Sequence, residues 1–360
     1  MSSFNVILTA DYEVWGNGSG DVRKCVIEPT NEMIRIVENH GARLTIFLDV
    51  CELWAFEQEE LKATFSADYK PASLIKDQLR SLVQRGHDVQ LHFHPQWLNY
   101  KKLSDYQWNL DMRYWRLPEV GTTNDQELNI DALFTKGVAT LRELFKDIEV
   151  DYQTNVFRAG AWSIQPEKEI LAAMVKNGLA IDTTVAPGLK YDDQRTKYDF
   201  QKAPMSKQSW KIHDDCCVEN KNGGILEIPI ATAQIPFLMR LYFQLLKIPG
   251  LISKSARNNE VVDDSYRRSY PITRSILKLI NDQRKMLNFS DGTVSAEMKY
   301  IFKKRLAELK SLEGEGIPIV AISHPKTFNN GQQLNSFLSW LNDQSMVSFG
   351  TFQDYIKTDK

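Results

Sequence analysis

Val6-Ile7-Leu8-Thr9-Ala10-Asp11-Tyr12-Glu13 is an apolar run that gives out in two carboxylates, and the fold is read outward from it. Residues i and i+2 of a strand share a face, so Asp11 and Glu13 leave the strand end together. The pattern recurs in Gly86-His87-Asp88-Val89-Gln90-Leu91-His92-Phe93-His94-Pro95, where His92 and His94 stand two apart. A third run, Ile317-Pro318-Ile319-Val320-Ala321-Ile322-Ser323, ends at His324. Strand ends loaded with Asp, Glu and His predict the working face of a barrel or open sheet. Those residue types in that pattern point to metal-assisted hydrolysis.

The segments between these runs carry helical spacing. Met33, Ile34 and Val37 recur within Pro29 to His40, which stops at Gly41. Leu44 to Val50 reads as a second buried strand. Pro71 to Arg85 places Leu74, Ile75, Leu79, Leu82 and Val83 on one side, with Gly86 as its stop. A helix over Ile130 to Phe145 precedes Val156-Phe157-Arg158, and one over Pro166 to Asn177 leads into Ala180-Ile181-Asp182. Gly224 to Ile230 reads as a further strand. The helix Ala296 to Leu312 feeds the run ending at His324, and a helix over Leu334 to Asn342 and a Val347-Ser348-Phe349 strand close the chain. Such alternation predicts an α/β fold with a parallel sheet, barrel or doubly wound. Without internal repeats or a low-complexity linker, residues 1–360 read as a single domain, with insertions around 190–221 and 235–270.

Bulk composition narrows the classes. A 360-residue chain that is 42% hydrophobic and 25% charged can bury a sizeable core. Its net charge of −2, without long single-sign blocks, gives no reason to expect nucleic acid. Met1-Ser2-Ser3-Phe4-Asn5-Val6 has neither a basic n-region nor a long apolar h-region, so no secretory signal is read. Cys25, Cys51, Cys216 and Cys217 lack CxxC spacing, and a reduced, cytoplasmic protein is the simplest expectation. No stretch reaches the roughly 18 apolar residues of a spanning helix. The apolar segment Ile235 to Ile252 suits a core helix or oligomer interface, with peripheral membrane contact as the alternative.

His92 and His94, on one strand face, are expected to reach one metal. Asp11 and Glu13 would supply one ligand and one base, and spacing alone does not order them. Arg158, in Phe157-Arg158-Ala159-Gly160, is placed to hold a carboxylate ionised. Trp15, Trp97 and Trp162 are candidate substrate-binding residues, since an indole offers an apolar face and an N–H. His87 has the wrong parity to join the pair, and His40 and His213 read as solvated.

Together these segments resemble the polysaccharide deacetylase superfamily, the NodB-homology carbohydrate esterases. Leu8 to Glu13 is similar to that family's first motif, Gly86 to His92 to the lead into its second, Phe157 to Gly160 to its third, and His324 to its last. Gly41 to Phe47, Ile181 to Gly188 and Leu226 to Pro229 resemble intervening family segments. Two features depart from the usual pattern: Tyr12 separates the acids, and Gln96 stands where the second metal histidine falls, with His94 as its substitute. The His-Phe-His-Pro-Gln-Trp form resembles a branch linked to lipopolysaccharide and other surface-glycan biosynthesis.

The resemblance implies a distorted (β/α)7 barrel with insertions in its C-terminal half. It further implies a divalent metal on Glu13, His92 and His94, zinc first, with iron, cobalt, nickel or manganese as alternatives. Asp11 would be the base, Arg158 its holder and His324 the acid. The implied substrate is an N-acylated amino sugar or glycan, nucleotide-linked, lipid-linked or polymeric. Hydrolysis of a small non-sugar amide or imide, and a catalytically silent glycan-binding barrel, are the alternatives.

Overall fold

The computed structural model describes residues 2–122, 129–148, 150–193, 195–247, 283–309, 312 and 314–353. Its centre is the strand β1 (Phe4–Tyr12), whose side chains are buried at every position but one. A strand covered on both faces reads as a continuous apolar run rather than an alternating one. The same holds for β2 (Leu44–Asp49) and β3 (Asp88–Phe93). Gln90, a polar residue inside β3, is satisfied in place. Its Oε1 accepts from the Asn155 and Val156 N–H groups, and its Nε2 donates to the Gln153 carbonyl.

The sheet continues through β4 (Val156–Ala159), β5 (Ile181–Asp182), β6 (Trp210–Ile212), β7 (Ile225–Glu227), β8 (Ile317–Ala321) and β9 (Val347–Phe349). Among the described residues these nine strands form one sheet, in the order β6-β7-β5-β4-β3-β2-β1-β8, with β9 also on β1. All pairings are parallel except β6 on β7. Beyond β7 the chain stays in register with both ends. Ile230 N–H donates to the Val185 carbonyl, and Ala231 N–H to that of Val320 in β8. The resulting Ile230–Val320 bridge draws the β7 end of the sheet against β8 and curls it.

Helices α1 (Glu28–Asn39), α2 (Val50–Leu61), α3 (Pro71–Gln84), α4 (Ile130–Phe145) and α5 (Lys168–Lys176) fill the crossovers in the first half. Gly86 ends α3 with φ +84°, a conformation that costs a residue without Cβ nothing. Helices α6 (Phe237–Leu246), α7 (Ser295–Leu309) and α8 (Gly331–Asn342) serve the second half.

Within 190–221, Lys190–Asp192 pairs with Lys197–Asp199, and Trp210–Ile212 adds the antiparallel edge strand. Helix α2 was not read from the sequence: it starts directly after β2, with only Asp49 between the two apolar runs. The expected 235–270 insertion lies within the described residues only as far as Lys247. There α6 buries Arg240 and Phe243 and exposes Leu238, Leu241, Tyr242 and Leu245 along one stripe. No helix among the described residues is long and apolar enough to cross a membrane.

Candidate metal centre

The parallel strands bring their C-terminal ends to one side, and the acids, histidines and arginine of the sequence meet there. Register does much of this: Asp49 sits opposite His92, and His92 opposite Arg158. Arg158 is wholly buried. Its Nη1 donates to Asp11 Oδ1 at 2.7 Å and to Thr9 Oγ1 at 2.9 Å, and its Nε donates to the Thr183 carbonyl at 3.1 Å. The guanidinium lies 4.2 Å from the centre of the Phe47 ring. Burial alone would raise the Asp11 pKa, but Arg158, with His92 and His324, holds it below the usual carboxylate value. His324 Nε2 stands 3.5 Å from the other Asp11 oxygen. Asp11 is thus an ionised, buried carboxylate with one oxygen on a guanidinium and the other facing an imidazole.

A second cluster adjoins it. His92 Nδ1 lies 2.7 Å from the Arg158 carbonyl, which can only accept, so the proton sits on Nδ1. Nε2 is left with its lone pair free, buried and without a hydrogen-bond partner. Burial, offset in part by Asp11, pushes the His92 pKa down to about 4. Its ring is therefore neutral, the form in which imidazole ligates a metal. His94 Nε2 is 2.5 Å from Glu13 Oε2, and Lys326 Nζ donates to Glu13 Oε1 at 2.7 Å. Burial would raise the Glu13 pKa, yet His94 and Lys326 hold it well below the usual range. Conversely, burial would lower the His94 pKa, and Glu13 outweighs it and raises it.

One donor atom from each of Glu13, His92 and His94 falls within 4.8 Å of the others. Two imidazoles and a carboxylate form a donor set that suits a zinc-like ion and leaves coordination positions for a ligand. The orphaned Nε2 of His92 is the observation that fits such an ion. A buried lone pair without a partner is costly, and ligation satisfies it. The Nδ1 contact to a carbonyl is the outer hydrogen bond that metal-binding histidines ordinarily make.

Around the cluster lie residues that sequence spacing did not single out. Asp49 caps α2 through its contact with Cys51 N–H, and the same oxygen accepts from His94 N–H, both at 3.1 Å. Burial pushes the Asp49 carboxyl up to about 7, with Glu13 adding to the effect and His94 opposing it. Glu52 accepts from Val14 N–H behind Glu13, and burial raises its pKa well above the ordinary value. Gly160 packs so closely on the Phe93 carbonyl that a Cβ there would also lie 2.9 Å from His94 Cε1. Trp115 faces the His94 ring at 6.2 Å between centroids. Lys326, two residues beyond His324, lies in the turn Pro325–Thr327, where strand alternation does not apply.

The three tryptophans separate. Trp162 is half-buried, 6.1 Å from His324 between ring centroids, and its buried Nε1 has no partner. Trp15 is half-buried with Lys326 Nζ 5.9 Å from its ring centre. Trp97 is a correction: it is 2% exposed and packs edge-on against Phe56 and Trp108, so it offers no ring face to a ligand. His87 is likewise structural, its Nδ1 accepting from Leu44 N–H at 3.0 Å.

No family model matches the sequence, and no curated protein does. Several solved structures are similar in chain path. A Mycobacterium smegmatis protein described as a polysaccharide deacetylase is 12% identical, with 99% of this chain and 90% of that one covered and a TM-score of 0.49. A Pseudomonas aeruginosa PAO1 protein described in the same terms is 10% identical, with 98% and 90% covered and a TM-score of 0.46. An allantoinase is 12% identical, with 98% and 89% covered and a TM-score of 0.44. At these identities and scores the functional reading rests on the site's own geometry.

Proposed function

We propose that this chain is a metal-dependent hydrolase that removes an N-acyl group from an amino sugar, on a distorted (β/α)7 barrel of the polysaccharide deacetylase type. The observation that carries the reading is the convergence of Glu13, His92 and His94 beside the Arg158–Asp11–His324 chain, with His92 Nε2 left without a partner. The motifs of the first and second acids, the two histidines, the arginine and the last histidine support the family assignment. Surface-polysaccharide or lipopolysaccharide assembly is the pathway that the His-Phe-His-Pro-Gln-Trp form favours.

Glu13, His92 and His94 would hold the ion. A divalent cation there supplies Lewis-acid polarisation of the acyl carbonyl and acidifies water. Asp11, kept ionised by Arg158, takes the proton of the attacking water. Asp11 takes this role rather than Glu13 because it lies between Arg158 and His324, whereas Glu13 groups with the two histidines. His324, at 15% side-chain exposure and next to Asp11, donates a proton to the departing amine. Arg158 touches no reacting atom and is a positioning residue. Trp162, with a free indole N–H beside His324, contacts a sugar hydroxyl or ring face.

Metal content per chain and turnover of N-acetylated amino sugars test this together. The expected result is about one zinc, iron or similar ion per chain, lost in a folded His92→Ala/His94→Ala variant. Asp11→Asn should keep the metal and lose at least about 100-fold in turnover. A protein that takes up no added metal, yet binds glycans, would overturn the hydrolase in favour of a glycan-binding barrel.

A further inference from the structure

Gln96 is fully buried two residues beyond His94, with its Nε2 3.2 Å from His94 Nδ1 and its Oε1 without any hydrogen-bond partner. The opposite nitrogen of the same ring, Nε2, meets Glu13 Oε2 at 2.5 Å. A neutral imidazole carries one proton, on one nitrogen or the other. With the proton on Nε2, shared with Glu13, Nδ1 is bare and can accept the amide N–H of Gln96, whose Nε2 lies 3.2 Å from it. When Nε2 instead gives its lone pair to a cation, the proton belongs on Nδ1, and an N–H then faces an N–H.

Either the ring or the amide must turn to relieve that conflict, and the ring is held. The Gly160 backbone lies against its Cε1 and Nδ1 edge, leaving no space for a Cβ. Trp115 lies 6.2 Å from the ring between centroids, and the backbone N–H of His94 is fixed by Asp49. Gln96 loses no hydrogen bond by turning its amide half a revolution, because its oxygen has no partner to give up.

We propose that Gln96 is the positioning residue of His94, turning its amide so that its oxygen receives Nδ1–H when Nε2 serves as a metal ligand. This rests on the metal-centre reading above. It explains why an amide occupies the place: a carboxylate could serve only the ligating form, and an apolar side chain neither. Its ligand partner is a divalent cation of the zinc class, which imidazole and carboxylate donors favour.

The test is zinc affinity, measured by competition with a chromophoric chelator, on wild type, Gln96→Leu and Gln96→Glu, each checked for folding by circular dichroism. The 15N–1H spectrum of the histidine rings is recorded on the zinc-loaded proteins. Gln96→Leu should bind zinc about 10- to 100-fold more weakly, the usual cost of removing an outer-shell partner. Gln96→Glu should bind at least as tightly as wild type, since its carboxylate accepts Nδ1–H. The zinc-loaded wild type should show a His94 Nδ1–H resonance protected from exchange, and Gln96→Leu should lack it.

Equal affinity in wild type and Gln96→Leu would overturn the inference and leave the metal centre standing. Equal weakening in both variants would also overturn it, because packing alone would then be responsible. A wild type that binds no zinc overturns the metal centre itself. Should Gln96→Leu not fold, Gln96→Met replaces it, with the same loss of affinity expected.

Discussion

Arg158 carries a permanent charge into the buried interior, and its neighbours offset the cost with a carboxylate, a hydroxyl, a carbonyl and the face of Phe47. Removing one partner of such a pair leaves the other charge buried and alone. Arg158→Met should therefore destabilise the protein by about 3–5 kcal/mol in urea unfolding. Adding Asp11→Asn to it should recover part of that loss, because the stranded carboxylate is then neutral. An Arg158→Met variant as stable as wild type would show that Asp11 needs no counter-ion. The meeting of Asp11, Glu13, His92 and His94 was legible because period-2 alternation at a strand end is a strong local rule. The identity of their outer partners was not. Asp49 and Gln96 come from a different element or from the first residues after the strand, where no period applies. Trp97 was misjudged for a related reason: nearness to a motif in sequence does not tell an indole facing the site from one packed on Phe56 and Trp108.

At the scale of the element, Asp49 is both the first cap of α2 and a hydrogen-bond acceptor for the His94 backbone. The junction between β2 and α2 therefore fixes one ligand of the cluster. Its carboxyl pKa, raised to about 7 in the fold against 3.8 ordinarily, gives a signed prediction. A raised acid contributes stability that is present below 3.8 and is lost as pH climbs through 7. Asp49→Asn keeps an oxygen for both N–H groups and has no charge to bury. In chelator-treated protein it should match wild type near pH 4 and exceed it in melting temperature at pH 8. The reverse order would show that the ionised form is the favoured one. Asp49→Ala, which removes the cap outright, should cost about 1–2 kcal/mol at either pH. Helix α2 itself was not read from the sequence, since only Asp49 separates its apolar run from that of β2. Helices α1, α3 and α5 were legible because each has a Pro near its start, a Gly just past its end and an apolar stripe. The edge strand Trp210–Ile212 has only three residues inside a polar stretch, too few to show alternation.

For the whole molecule, the site exists only where widely separated parts of the chain meet: β1 from the beginning, β3 and β4 from the middle, β8 near the end. A cation that binds this assembly and not the unfolded chain stabilises the entire fold. At a free zinc concentration 100 times the dissociation constant the gain is about 2.7 kcal/mol. Calorimetry should show the melting temperature rising with zinc in wild type and staying flat in His92→Ala. An equal rise in both would assign zinc to some other site. Strand–helix alternation made the parallel sheet legible at this scale. The Ile230–Val320 bridge that curls it was not, since a bridge of one residue pair leaves no mark in a sequence.

The placement of β1 has a consequence for how the protein is made. One side of this strand pairs with β2, only some thirty residues further on, but its other side waits for β8 at Ile317–Ala321. At a synthesis rate of about 5–20 residues per second, that interval lasts about 15 to 60 s. Throughout it, the nascent chain presents an apolar, unpaired strand edge that already bears the acids of the future site. Ribosome-bound chains stopped before residue 317 should therefore be readily cleaved near β1, and those extended past Phe349 should resist.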